Sequence, residues 1–124
     1  MTAGPWHIDR TGARPLTVNR VATMHRQAWA TYTRTARRDW AHLARAACIP
    51  PQAAIRVIAT PLHKDRRSPQ DVSACAPEAK AGIDGLVDAG VIVDDDATHL
   101  TEVVFRPPWV CGVDGLRLSI EVDA

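Results

Sequence analysis

Residues 70–100 read QDVSACAPEAKAGIDGLVDAGVIVDDDATHL. Pro77 stands where a first helical turn tolerates a missing N–H, and Gly90 where a helix end favours glycine, so the stretch predicts a helix over Pro77–Ala89. Ala79, Ile83, Leu86 and Val87 give that helix a buried stripe, while Lys80, Asp84 and Asp88 recur four apart on another face. Val91–Val93 then leads into the run Asp94-Asp95-Asp96. Carboxylates thus flank the helix on both sides. A helix of this length spans about 20 Å at 1.5 Å per residue, so its two ends cannot share one ion. Asp71 meets Asp95 only if the segment after Gln70 folds back along the helix.

Outward from this stretch, strand and helix patterns alternate. The short apolar segment Trp6–Ile8, followed by Gly12 and Pro15, predicts one strand and a loop to about Arg20. Residues 22–48 predict a long helix in which Trp29, Tyr32, Ala36, Trp40, Leu43 and Ala47 share one face; Arg26, Arg34, Arg37, Arg38 and Arg45 project elsewhere. Pro50-Pro51 ends it. Ala53–Leu62, with Ile55, Val57 and Ile58, favours a strand, and His63–Gln70 reads as a basic loop. Leu100–Phe105 is rich in β formers, and Leu116, Leu118, Ile120 and Val122 alternate cleanly. Pro107-Pro108 and the Gly112–Gly115 stretch suit a hairpin between those two strands. The order strand, helix, strand, helix, strand, strand predicts an α+β fold, a mixed sheet covered by two helices, in one domain over residues 1–124.

The net charge of +1 conceals a division. Residues 1–70 carry twelve Lys/Arg against three acids, and residues 71–124 carry three against eleven. Such a split suits a basic half that holds a polyanion and an acidic half that holds cations, although solvated charges also segregate by chance. No run of eighteen apolar residues exists, so no membrane span is expected. Asp9 and Arg10 stand where a signal peptide would need apolar residues, so the protein is expected to stay inside its cell. Cys48, Cys75 and Cys111 are scattered, with no CxxC pair to suggest a disulfide framework or a zinc knuckle. The five histidines show no ligand spacing; only His63 sits near the basic loop.

Were Asp71 and Asp95 to converge, they would offer the hard oxygens that Mg²⁺ prefers, with water and phosphate filling its other positions. Phosphodiester hydrolysis uses such an ion to activate water and to offset charge on the leaving oxygen. A nearby ammonium, Lys80, would stabilise charge accumulating on the phosphate. The plainer alternatives are that the Asp run is a solvated turn or a capping cluster, and that Lys80 and Asp84 form a surface pair.

The stretch Gln70–Leu100 resembles the RusA family of Holliday-junction resolvases. The family pattern is an Asp-rich turn, a lysine, an aspartate four residues on, a glycine at the helix end, then two aspartates; here these are Asp71, Lys80, Asp84, Gly90 and Asp94-Asp95. From Lys80 onward the register fits without a gap. The likeness extends to Pro15, Asn19 and Arg20, and to the basic loop Lys64–Arg67. It implies a homodimer that uses Mg²⁺, or Mn²⁺ in its place, to nick four-way or other branched DNA in recombination and repair, in the cytoplasm of a bacterial cell, with a gene of host, phage or prophage origin.

Carried over residue by residue, catalysis falls to Asp71, Lys80 and Asp95, and the metal to Asp71, Asp94 and Asp95. DNA contacts fall to Lys64, Arg66, Arg67 and Asn19, with Arg37 and Arg38 added from the basic helix face. Trp29 and Trp40, on the apolar stripe, are expected in the core or a dimer interface. One departure stands out: the family turn reads Asp-x-Asp-Asn close to the lysine, whereas here Asp71-Val72-Ser73-Ala74 is followed by extra residues before Lys80. Loss of one carboxylate weakens a Mg²⁺ site, so a protein that binds branched DNA without cleaving it is the alternative implied. A structural dimer without a nucleic-acid role is a third reading.

Overall fold

A computed structural model describes residues 4–123. Its elements in chain order are β1 (Trp6–Thr11), α1 (Val18–Thr23), α2 (Arg26–Ala46), β2 (Ile55–His63), α3 (Ala76–Asp88), β3 (Leu100–Phe105), β4 (Trp109–Val110) and β5 (Gly115–Val122). The strands form one five-stranded mixed sheet in the order β1-β5-β2-β3, with β4 pairing β2 beyond β3. The α+β class with a mixed sheet is as expected from sequence.

Strand β5 runs antiparallel to both of its neighbours, pairing Trp6 with Ile120 on one side and Val57 with Ile120 on the other. β2 and β3 are parallel and joined through α3. The hairpin expected between residues 100–105 and 116–122 is therefore absent among the described residues: β2 lies between those strands. Pro107-Pro108 interrupts the edge strand, because proline cannot donate to a ladder, and β4 resumes the parallel pairing with Leu62 and His63.

The helical layer departs from expectation at its start. One helix over 22–48 was predicted, and two are observed. Thr17 caps α1 by accepting from the Arg20 amide. The chain then turns extended at Met24 and His25 (ψ 142° at both), and the His25 imidazole accepts from the Gln27 amide to open α2. The sheet is thus accompanied by three helices, not two. α3 spans Ala76–Asp88, with Pro77 in its first turn and Gly90 just beyond at φ +79°, a left-handed end that a side chain would strain.

The core lies between the sheet and helices α2 and α3. Ile55, Val57, Ala59, Leu116, Leu118 and Ile120 from the strands meet Ala36, Trp40, Ala44, Ala79, Ile83 and Leu86 from the helices. α2 crosses α3 at Gly85, where an added Cβ would lie 2.7 Å from the Trp40 Cβ and 2.9 Å from the Arg37 carbonyl oxygen. Trp40 is fully buried, whereas Trp29 is 42 % exposed, so of the two stripe tryptophans only Trp40 serves the core.

One core feature was not anticipated. Glu78, in the first turn of α3, is 1 % exposed. It accepts hydrogen bonds from Trp40 Nε1 at 2.8 Å, the Leu16 amide at 3.0 Å, the Tyr32 hydroxyl at 3.0 Å and an Arg10 guanidinium nitrogen at 3.3 Å. A buried carboxylate costs several kcal/mol unless its lone pairs are met, and four donors meet them here. This one side chain ties β1, the Leu16 loop, α2 and α3 together.

Candidate functional site

Lys80 lies one turn into α3, about 6 Å from its start by the helical rise. Its ammonium donates to Asp84 at 2.9 Å, one turn further on, and to Asp95 from the loop after the helix. The lysine and the aspartate expected together from sequence are together. The Asp95 hydrogen bond raises the Lys80 ammonium above its ordinary value, outweighing partial burial; the same bond holds the Asp95 carboxyl below the usual carboxylate range.

The other two aspartates of the run have different work. Asp94 Oδ1 accepts from the Asp95 amide. Asp96 Oδ1 accepts from the Thr98 and His99 amides and pairs with His99 Nδ1 at 2.7 Å, which holds its carboxyl below the ordinary value. Asp94 and Asp96 thus shape the turn that delivers Asp95 to Lys80. Both engage backbone amides of the turn, as the capping alternative expects.

Asp71 is exposed in the turn before α3, where its carbonyl accepts from the Ala74 amide; the Ala74 carbonyl in turn accepts from Val18. That anchors the turn to α1. Asp71 borders a cavity of about 370 Å³ with Thr17, Val18, Asn19, Gln70 and Ser73. Asp71 and Asn19 are thereby brought together, but no hydrogen bond or ion pair joins Asp71 to Lys80 or Asp95 among the described residues. Nor are three or more His, Cys, Asp or Glu side chains grouped to hold a metal ion among them.

The expected DNA-contacting residues divide between the two ends of α3. Lys64, Arg66 and Arg67 sit in the loop after β2, and Asp114 pins that loop by accepting from the Lys64 amide at 3.1 Å and from Arg67 at 2.6 Å. These two bonds keep the Asp114 carboxyl below its usual range. Arg37 and Arg38 lie by Asp88, the last residue of α3, about 18 Å away along the helix. Arg37 makes a two-pronged pair with Asp88 at 2.6 and 2.7 Å, so its guanidinium is already engaged. Arg38 has no ion pair among the described residues. Among the described residues, Arg67 and the Arg37–Arg38 pair line separate cavities.

Sequence reasoning missed a second cavity, of about 150 Å³, next to the first. Arg14, Pro15, Thr17, Arg20, His63, Arg67, Gln70 and Cys75 line it, and the two cavities share Thr17 and Gln70. Arg14 and Gln70 carry no local signal; His63 was noted only for its place beside the basic loop. Burial raises the Cys75 thiol to about 11, with nearby Glu78 adding to the effect, so the cysteine lines this cavity as a neutral thiol, not as a nucleophile.

No protein family and no curated protein matches the chain in sequence. No helix among the described residues is long and apolar enough to cross a membrane.

Proposed function

We propose that this chain is a RusA-like, divalent-metal-dependent endonuclease that acts as a homodimer on four-way or other branched DNA. The observation that carries the reading is the Lys80 bridge: the helix lysine joins an aspartate one turn on to an aspartate of the pair that follows the helix. Supporting it, the Asp71 turn and the Lys64–Arg67 loop both border the start of α3, and their cavities adjoin.

The donor set suits a hard cation in chemical type. Lys80 engages one oxygen of Asp95 and the Asp95 amide one oxygen of Asp94, leaving Asp95 Oδ1 and Asp94 Oδ2 without a protein partner among the described residues. Mg²⁺ is commonly held by one or two carboxylates, with water and substrate phosphate completing its shell. Asp94 and Asp95 would hold the ion, with Asp71 as a ligand only if its turn closes on them. When bound, Mg²⁺ or Mn²⁺ supplies an activated water and charge neutralisation at the leaving oxygen. The protein's own part is the following. Lys80 keeps Asp95 ionised and sets an ammonium beside it, and Lys64, Arg66 and Arg67 attract backbone phosphates without regard to sequence.

A second reading, branched-DNA binding without turnover, is favoured by one specific observation. Asp71 lines a cavity with Val18 and Asn19 of α1 and makes no hydrogen bond or ion pair with Lys80 or Asp95 among the described residues, and Ser73 stands where the family carries its second turn aspartate. A synthetic four-way junction incubated with Mg²⁺ or Mn²⁺ decides between the two. Nicking that is abolished by Asp95→Asn, with binding retained, supports the nuclease. Junction binding with no cleavage under either ion supports the second reading. No preference for branched over linear DNA at low salt overturns both.

A further inference from the structure

The smaller cavity has the composition of an anion pocket, and its interior is set by a histidine. His63, the last residue of β2, is 6 % exposed, yet its imidazole lines the cavity and makes no hydrogen bond to protein among the described residues. Its ring nitrogens are unpartnered yet not sealed from solvent, so they are open to a ligand in the cavity. Arg14, Arg20 and Arg67 also line the cavity, with the Arg20 guanidinium over the Tyr32 ring at 5.5 Å. Arg67 is already balanced by Asp114 at 2.6 Å and Asp65 at 3.2 Å, and its Nε is buried without a partner. Arg14 and Arg20 have no carboxylate within ion-pair distance among the described residues; the Arg14 carbonyl accepts from Arg20 at 3.3 Å, which holds the two segments together.

We propose that this cavity binds a phosphoryl group with free oxygens, as in a phosphate monoester or inorganic phosphate, through Arg14, Arg20 and His63, with Gln70 completing the contacts. Recognition by two guanidiniums that lack a carboxylate partner and by an imidazole needs an acceptor with several free oxygens, because each donor approaches from a different element: the loop before α1, α1 itself and the end of β2. A diester within a strand exposes only two such oxygens and must pass a chain in and out of a cavity whose histidine is nine-tenths buried. A terminal group can reach in. Desolvation, then the nearby Arg67, lowers the His63 pKa, while Asp114 and Asp65 oppose this and Arg14 adds to it. These surroundings favour the neutral imidazole, which still offers one N–H to a phosphate oxygen. This proposal stands apart from the nuclease reading and survives its failure.

The test is a titration of the full chain with inorganic phosphate at low ionic strength, followed by the His63 ring resonance in NMR. Competition with otherwise identical oligonucleotides bearing a 5′-phosphate or a 5′-hydroxyl separates the sources. Phosphate is expected to shift the His63 signal saturably. Arg14→Ala and Arg20→Ala, both at exposed positions, are each expected to weaken binding about tenfold, the usual order for one charge-assisted contact. His63→Gln retains a donor and is expected to weaken it less than His63→Ala. Arg45→Ala, at the far end of α3 beside the Asp88 carbonyl, is the charge control and is expected to change nothing. Displacement by the 5′-phosphate oligonucleotide alone supports the pocket and assigns it to a nucleic-acid end; displacement by neither supports it and assigns it to a small phosphate. Equal displacement by both oligonucleotides overturns the proposal, as does an unmoved His63 signal or an Arg45→Ala loss equal to that of Arg14→Ala.

Discussion

Replacing Glu78 tests whether one buried carboxylate organises the front of the molecule. In Glu78→Ala, Trp40 Nε1 and the Leu16 amide lose acceptors at 2.8 and 3.0 Å in surroundings closed to water. Arg10 keeps Asp39 at 3.2 Å, and the Tyr32 hydroxyl keeps the Arg14 carbonyl at 3.3 Å, so those two donors are not stranded. Each stranded donor costs about 1–3 kcal/mol, which sums to about 4 kcal/mol at the middle of the range before any cavity is counted. That is about a quarter or more of the total stability of an ordinary domain of this size. Glu78→Gln behaves differently. Its carbonyl can keep Trp40 and Arg10, and its NH₂ can donate to the Tyr32 hydroxyl, leaving only the Leu16 amide opposed; the loss is then about 2 kcal/mol. In urea, with a slope near 1.5 kcal/mol per molar, the midpoint falls by about 1 M for the glutamine variant and by more than 2 M for the alanine variant. Hydrogen exchange at the Leu16 amide rises in both. A midpoint shift below about 0.5 M in Glu78→Ala, or equal shifts in the two variants, refutes the reasoning.

Three further outcomes are expected. Gly85→Ala gains about 1 kcal/mol of helix propensity but sets a Cβ 2.7 Å from Trp40 and 2.8 Å from the Ala41 amide nitrogen, so a net loss of stability is expected in thermal melts; an unchanged or higher midpoint would show that α2 and α3 part at no cost. Lys80→Met removes the group that depresses the Asp95 pKa, so the Asp95 carboxyl is expected to titrate at higher pH by NMR, and an unmoved titration would dissolve the pair. In the unaltered protein this contact favours the fold above the unfolded-state Asp pKa and fades as pH falls through the lower folded-state value. Asp114→Asn weakens the hold on the Lys64 amide and Arg67, and faster tryptic cleavage between residues 64 and 67 is expected; an unaltered cleavage rate would mean that the loop is secured elsewhere.

What the sequence discloses and what it withholds follow the range of the interactions involved. The limits of α3 were legible because Pro77 and Gly90 act on their own turns. The core face of β5 was legible because Leu116, Leu118 and Ile120 alternate within one strand. The break between α1 and α2 was hidden, because no glycine or proline marks it and the cap is a histidine, a residue that seldom plays that part. The supposed hairpin failed for another reason: β2 inserts between β3 and β5, a choice of partners that neither strand encodes alone. In the candidate site, Lys80 and Asp84 were readable as a pair one turn apart on one helix, whereas Asp95 was singled out of its run by the family resemblance. Glu78 was not legible, since Trp40 lies 38 residues away and an acidic residue in a first helical turn ordinarily reads as exposed. Arg37 looked available for phosphate because its partner Asp88 is 51 residues distant.

Strand β5 sits in the interior of the sheet although it follows the other four described strands in the chain, and the contact between His7 and Ser119 spans 112 positions of chain. A polypeptide leaving the ribosome therefore carries β1 and β2 with facing edges open until residues 115–122 emerge, since only that strand bridges them. Closing so wide a loop before its contacts can repay the lost entropy makes assembly slow and leaves nascent chains prone to mutual pairing.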